Sequence, residues 1–154
     1  MIRNGTMQDY EQVNLLRKEV NDLHVQGQPD IFKPGFCKEM QEYLKEFIDS
    51  QDKQLIVCEK DGQICGYAML EFICKPETAY RYALEYIEVG ELGVSKNYQK
   101  QGIGKQLMQE VKNIAQQRKI KKIELNMWSF NDNALNFYEK LGFNTYRRHM
   151  NIKL

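Results

Sequence analysis

The chain has 154 residues, 42% of them apolar, and carries 22 basic against 21 acidic side chains for a formal charge of +1. That length predicts one domain over residues 1–154 with enough apolar mass to bury a core. Near-neutrality argues against a general binder of nucleic acid or anionic membrane, and no run of 18 apolar residues exists to span a bilayer.

The opening Met1-Ile2-Arg3-Asn4-Gly5-Thr6 has no apolar stretch of signal-peptide length. Four cysteines, Cys37, Cys58, Cys65 and Cys74, form no CxxC pair, and only two histidines, His24 and His149, accompany them. No metal site is expected, and the cysteines read as small buried hydrophobes in a reducing cytoplasm.

The predicted elements begin with a short strand at Met1 to Asn4. Thr6 then caps a helix whose Val13, Leu16, Val20 and Leu23 share one face. Residues 26–35 hold two Pro and two Gly and form a loop. A second helix covers Cys37 to Ile48, with Met40, Tyr43, Leu44, Phe47 and Ile48 inward. Leu55 to Cys58 is a strand, and Asp61-Gly62 signals a hairpin. Ile64 to Ile73 returns as a strand apolar on both faces, hence central.

Tyr82 to Val94 is a long strand in which Gly90 and Gly93 suggest a bulge or a close backbone approach. Gly104 to Gln117 is an amphipathic helix, and Ile123, Leu125 and Met127 alternate with polar residues as a half-buried strand. Asn131 to Leu141 is a short helix stopped by Gly142, and Phe143 to Ile152 reads as a final strand. The fold class is therefore mixed α/β.

The segment Val94 to Lys105 carries the chemistry. A strand ends, a polar loop follows, and Gly102 and Gly104 open a helix. First-turn N–H groups are unpaired and sit at the positive end of the helix dipole, which favours an anion. Glycine admits a phosphate without a Cβ clash, and Lys100 and Lys105 add charge, so the stretch reads as a diphosphate cradle. A plain glycine turn is the alternative. The third glycine of a dinucleotide fingerprint and the Walker lysine are both missing, which disfavours other nucleotide-binding α/β domains.

Gln99-x-x-Gly102-x-Gly104 after a strand, followed downstream by Asn131-Asp132-Asn133-Ala134-Leu135-Asn136-Phe137-Tyr138-Glu139-Lys140-Leu141-Gly142-Phe143, resembles the GNAT superfamily of acyl-CoA N-acyltransferases. Element order matches along nearly the whole chain. Gln99 departs from the arginine frequent at that loop position, which removes one charge but no backbone donor. The resemblance implies a mostly antiparallel twisted sheet of six to seven strands and four helices. The sheet would be splayed between the strand ending at Val94 and the strand ending at Met127.

It implies acetyl-CoA as co-substrate, with its pyrophosphate on Gln99, Lys100, Gln101, Gly102, Ile103, Gly104 and Lys105. The pantetheine arm would lie along Leu92, Gly93 and Val94, with Asn131 reaching it from the other side. It implies transfer of an acetyl group to a primary amine of a small molecule or peptide by direct attack. Tyr138 matches the proton donor to the leaving thiolate. Glu88 and Glu91 are the candidate bases; strand parity separates them unless a bulge intervenes. Solvated carboxylates, with water taking the proton, are the alternative.

The acceptor pocket implied by the resemblance involves the first two helices and their loop. His24 and Phe32 are candidate lining residues, against a loop packed by Phe32 with a surface histidine. Tyr82 and Tyr86, beside acidic residues, suit a cationic amine or simply pack the sheet. The run Arg118-Lys119-Ile120-Lys121-Lys122 reads as a solvated helix end. A monomer or a homodimer fits equally. The rival to an enzyme is a non-catalytic acyl-CoA-binding or regulatory domain of the same fold, and Tyr138 favours the enzyme.

Overall fold

A computed structural model describes residues 1–154 and shows one five-stranded sheet in the order β1-β2-β3-β4-β5. The elements are β1 (Ile2–Asn4), α1 (Tyr10–Gly27), α2 (Lys38–Asp49), β2 (Lys53–Lys60), β3 (Gln63–Lys75), β4 (Leu84–Val94), α3 (Ile103–Gln117), β5 (Ile123–Leu125) and α4 (Asp132–Lys140). All neighbours pair antiparallel except β4 and β5, which run parallel.

The chain enters through a capping box. Thr6 caps the 3-10 turn Met7–Asp9 and its N–H donates to the Asp9 carboxylate at 2.8 Å. Arg3 forks onto the same carboxylate at 2.8 and 2.7 Å and reaches Glu59 at 2.8 Å. The Arg3 guanidinium, with the Thr6 N–H, holds Asp9 below the usual carboxylate range against the opposing effect of burial. One ion-pair cluster thus ties β1, β2 and the start of α1 together.

β3 is central, as its two apolar faces require. One face packs Tyr67 and Met69 with Leu55 and Val57 under Val13 and Leu16 of α1 and Leu44 and Phe47 of α2. The other packs Ala68 and Leu70 with Ile56, Ile87 and Val89 under Leu107, Met108 and Val111 of α3. Each fully buried aliphatic side chain contributes roughly 1.5–3 kcal/mol, so the two layers dominate stability.

Five strands form, not six to seven. Phe143 to Ile152 runs as irregular chain, with Tyr146, Met150 and Ile152 at 68%, 86% and 82% exposure. Its apolar residues, at 143, 146, 150 and 152, do not alternate and so give a strand no continuous apolar face to bury. β5 stops at Leu125, two residues before Met127, and β4 starts at Leu84 instead of Tyr82. The inner face of α1 also differs. Val13 and Leu16 are buried, but Leu23 is exposed, while Asn14, Arg17 and Asn21 are buried beside them. On α2, Leu44 and Phe47 are buried, whereas Tyr43 lies at the surface. Cys58 and Cys65 are buried and Cys37 and Cys74 exposed, all as free thiols.

Candidate active site

The β4–β5 ladder pairs Ile87, Glu88 and Val89 with Ile123, Glu124 and Leu125 and ends there. From Gly90 to Val94 the β5-facing edge of β4 has no strand partner, so the sheet is splayed. Leu92 and Val94 in this stretch pack on the α3-side core, and Gly93 is buried. A Cβ on Gly93 would stand 2.5 Å from the Tyr67 ring, so that ring requires glycine.

A 3-10 turn, Lys96–Tyr98, then leads to the start of α3. Gly102 is its N-cap with φ of 80°, a left-handed conformation that glycine adopts without penalty, and Lys100 has φ of 62°. Gln106 N–H bonds Gly102 O at 3.0 Å and no side chain caps the helix, so the first-turn N–H groups before it are unsatisfied. Nothing lies within 4 Å of a Cβ built on Gly102. Gln99, Lys100, Gln101 and Lys105 are exposed around this opening, while Ile103 is buried. The side-chain amides of Gln99 and Gln101 fold back onto Val94 O and Asn97 O, each at 3.4 Å. Gly104 has a different reason to be glycine: a Cβ there would meet the Phe137 ring of α4 at 3.1 Å.

α4 is capped by Asn131, whose Oδ1 accepts the Ala134 N–H at 3.0 Å. Tyr138 lies on this helix, ringed by Phe137 at 5.1 Å and Phe143 at 5.6 Å. Burial pushes its phenol up to about 12. Burial is the whole cause, with no hydrogen bond contributing, and no buried side-chain oxygen of the chain lacks a partner. The hydroxyl therefore keeps an opening to solvent and a free hydrogen bond to give.

The bulge decides the carboxylates. Glu91 pairs with Met69 and Val89 with Leu70, so Gly90 is the extra residue and Glu88, opposite Glu71, falls on the same face as Glu91. Glu91 is fully engaged. Arg17 Nε and Nη2 bond its two oxygens at 3.0 Å each, and the Tyr67 hydroxyl donates at 3.0 Å. Burial, then the Glu91 charge, pushes the Tyr67 phenol well above its ordinary range, so it remains a donor. Glu88 accepts one hydrogen bond, from Asn126 Nδ2 at 3.0 Å, and makes no ion pair.

An aromatic cluster joins the loop after α1 to the loop before α4. His24 stacks on Phe32 at 5.0 Å, Phe32 meets Trp128 edge-on at 5.2 Å, and Phe130 packs against Gly27 and His24. Burial lowers the His24 imidazole below its ordinary value, and the nearby Glu91 charge opposes this. Tyr86 is buried and lines a polar cleft of about 280 Å³ with Glu88 and Asn126. Tyr82 is 87% exposed and stands outside that cleft. Asn126 lines the cleft, and Arg17 and Tyr67 lie buried beneath Glu91; none of these three stood out in the sequence. The available signal was the polar stripe Asn14, Arg17, Asn21, at helical spacing beside the apolar one.

The model of the acetyltransferase (GNAT) family matches residues 19–143. The chain belongs to that family. A curated relative, an uncharacterized N-acetyltransferase encoded near pepI in Lactobacillus delbrueckii subsp. lactis, is 26% identical over 92 residues. That match takes in 58% of this chain and about half, 51%, of the relative. The fold superposes on a variant of the BH1408 protein from Bacillus halodurans with a TM-score of 0.96 at 24% identity, covering 100% and 99% of the two chains. It superposes on the aminoglycoside N-acetyltransferase AAC(6')-Iy, solved with CoA, with a TM-score of 0.77 at 15% identity, covering 100% and 93%.

Proposed function

We propose that this protein transfers an acetyl group from acetyl-CoA to a primary amine by direct attack. The observation that carries the reading is the conjunction of a splayed β4 edge with an uncapped α3 N-terminus. The residues fit CoA: Gly102 leaves open space, the first-turn N–H groups are unsatisfied, and the free backbone of Leu92, Gly93 and Val94 lies next to them. Gln99 to Lys105 would hold the pyrophosphate and Asn131 would close the groove from the α4 side. Acetyl-CoA supplies the activated acyl group. An N-acetyltransferase of the same fold solved in complex with CoA supports this reading.

Glu88 is the base. Its carboxylate has one neutral hydrogen-bond partner, so it is free to take a proton from the acceptor nitrogen, directly or through water. Glu91 is a structural carboxylate with Arg17 and Tyr67 on its oxygens. Tyr138 gives a hydrogen bond to the departing sulfur. A thiol ionises near ~8.5, well below a phenol at about 12, so Tyr138 steadies the thiolate and keeps its own proton. Backbone N–H groups on the unpaired stretch of β4 are available to the carbonyl oxygen. His24, Phe32 and Trp128 wall the acceptor side. The cellular setting proposed is the cytoplasm; no helix of the chain is long and apolar enough to cross a membrane.

Titration calorimetry with acetyl-CoA, CoA and NAD tests this. Micromolar binding of the two CoA species and none of NAD is expected. Failure of both CoA species to bind removes the reading. Binding without thiol release across an amine panel replaces the enzyme by an acyl-CoA-binding domain.

A further inference from the structure

We infer that the acceptor amine also carries an anionic group, a carboxylate or a phosphate. The cleft between β4, β5 and the C-terminal segment would bind it through Arg81 and Arg147, with Lys75 adding charge. This rests on the transferase reading above and names the substrate class of the same site.

The cleft of about 280 Å³ is lined by Lys75, Arg81 and Arg147 against Glu88 and Glu124. Glu124 is already neutralised: Lys122 Nζ lies 2.6 Å from it and the Tyr146 hydroxyl donates at 2.9 Å. Lys75, Arg81 and Arg147 take part in none of the chain's ion pairs. Two guanidiniums outside any ion pair, with the Lys75 ammonium over the Tyr86 ring at 5.6 Å, therefore face one free carboxylate, Glu88. A second ammonium on the acceptor meets repulsion here, whereas an anion meets paired guanidinium forks suited to carboxylate or phosphate.

Each arginine has a neighbouring anchor. Arg81 O accepts the Thr78 N–H at 2.9 Å, closing the turn before β4. Arg147 follows Tyr146, which is anchored on Glu124 and lies under the Lys122 ammonium at 4.6 Å. Glu88 and both arginines line one cleft of about 280 Å³, so an anion held there lies one short chain away from the acceptor nitrogen. The amide C–N bond forms as the thioester C–S bond breaks. The nitrogen proton leaves through Glu88 to solvent, the sulfur leaves as a thiolate that takes a proton from solvent, and the anionic group stays intact.

The test compares four amines of one chain length: 6-aminohexyl phosphate, 6-aminohexanoate, hexylamine and 1,6-diaminohexane, by thiol release from acetyl-CoA. The anionic pair is expected to exceed hexylamine at least tenfold in kcat/KM, with the diamine lowest; the ratio between phosphate and carboxylate tells which anion the cleft takes. In Arg81→Gln/Arg147→Gln the anion-to-hexylamine ratio falls to about one, while Lys45→Gln, on α2 and outside the cleft lining, keeps it. Thermal unfolding of each variant checks the fold. Equal rates for all four amines, or a preference for the diamine, overturns the inference and leaves the transferase standing. Thiol release from none of them, with CoA binding intact, overturns both.

Discussion

The Arg17 guanidinium forks onto the Glu91 carboxylate, with Nε on Oε2 and Nη2 on Oε1 at 3.0 Å each. Its remaining nitrogen, Nη1, donates to Met40 O at 2.7 Å and Asn14 Oδ1 at 3.1 Å. This ties α1, α2 and the β4 bulge together under the candidate site. It also separates two acidic residues that face the same way: Glu91 is held, and Glu88 is free. Removing one partner of such a pair leaves a poorly solvated charge behind. The Arg17 side chain is 5% exposed and Glu91 30%, so the cost of Arg17→Leu is set at roughly 2–4 kcal/mol, below that of a fully buried pair. A melting temperature lowered by roughly 5–15 °C is expected in calorimetry.

Tyr138→Phe keeps the ring among Phe137 and Phe143 and removes the hydroxyl. Losing a hydrogen bond to a charged leaving group costs ~1.5–3 kcal/mol, or roughly 10- to 100-fold in turnover. Acetyl-CoA affinity by calorimetry should not change. With its phenol at about 12, Tyr138 contributes no titration to rate profiles between pH 6 and 10.

The two glycines of the α3 start separate by mechanism. Gly102→Ala has open space but forces alanine to a φ of 80°, costing about 1 kcal/mol and disturbing the anion cradle alone. Gly104→Val drives its side chain into Phe137 and moves α4, so it should lower stability, CoA affinity and turnover together. Melting curves and CoA titrations on both variants distinguish the two patterns.

His24 gives the fold a pH dependence of known sign. Its folded-state value is depressed below 6.5, chiefly by burial, so the unfolded chain binds more protons as the medium acidifies. Stability is then full above 6.5 and is lost as pH falls through the folded value. His24→Gln should flatten this stretch of the stability–pH curve. Denaturant unfolding at stepped pH reads it directly.

Asp9 acts in the same direction at lower pH, because Arg3 and the Thr6 N–H hold its folded value below 3.8. Asp9→Ala removes the capping-box carboxylate and leaves Arg3 with Glu59 alone, for roughly 1–2 kcal/mol at neutral pH. The difference from wild type should vanish on acidification through the folded Asp9 value, as unfolding titrations will show.

What could be read from the sequence followed from strong periodicity and from turn chemistry. β3, apolar on both faces, had to be central, and Asp61-Gly62 had to close the hairpin. Gly102 was legible as an open turn, whereas the reason for Gly104 was not, since Phe137 meets it only through the fold. The final strand expected over Phe143 to Ile152 does not form: its apolar residues, Phe143, Tyr146, Met150 and Ile152, fall at spacings that put no continuous apolar strand face toward the core. Arg17 was hidden for the opposite reason. A helix period weighs only apolar residues, and a buried arginine is legible only once Glu91 is found across from it. The parity of Glu88 and Glu91 turned on a single residue, Gly90, whose bulge is a property of the pairing with Met69 and Leu70.

The most direct test follows thiol release and N-acetylated product together, by absorbance and mass spectrometry, for the wild type and Glu88→Gln. The account predicts equimolar thiol and acetyl-amine from the wild type. It predicts a rate at least ~100-fold lower from Glu88→Gln, with acetyl-CoA binding unchanged. Product formed equally fast by Glu88→Gln, or thiol released with no acetylated amine, would contradict it.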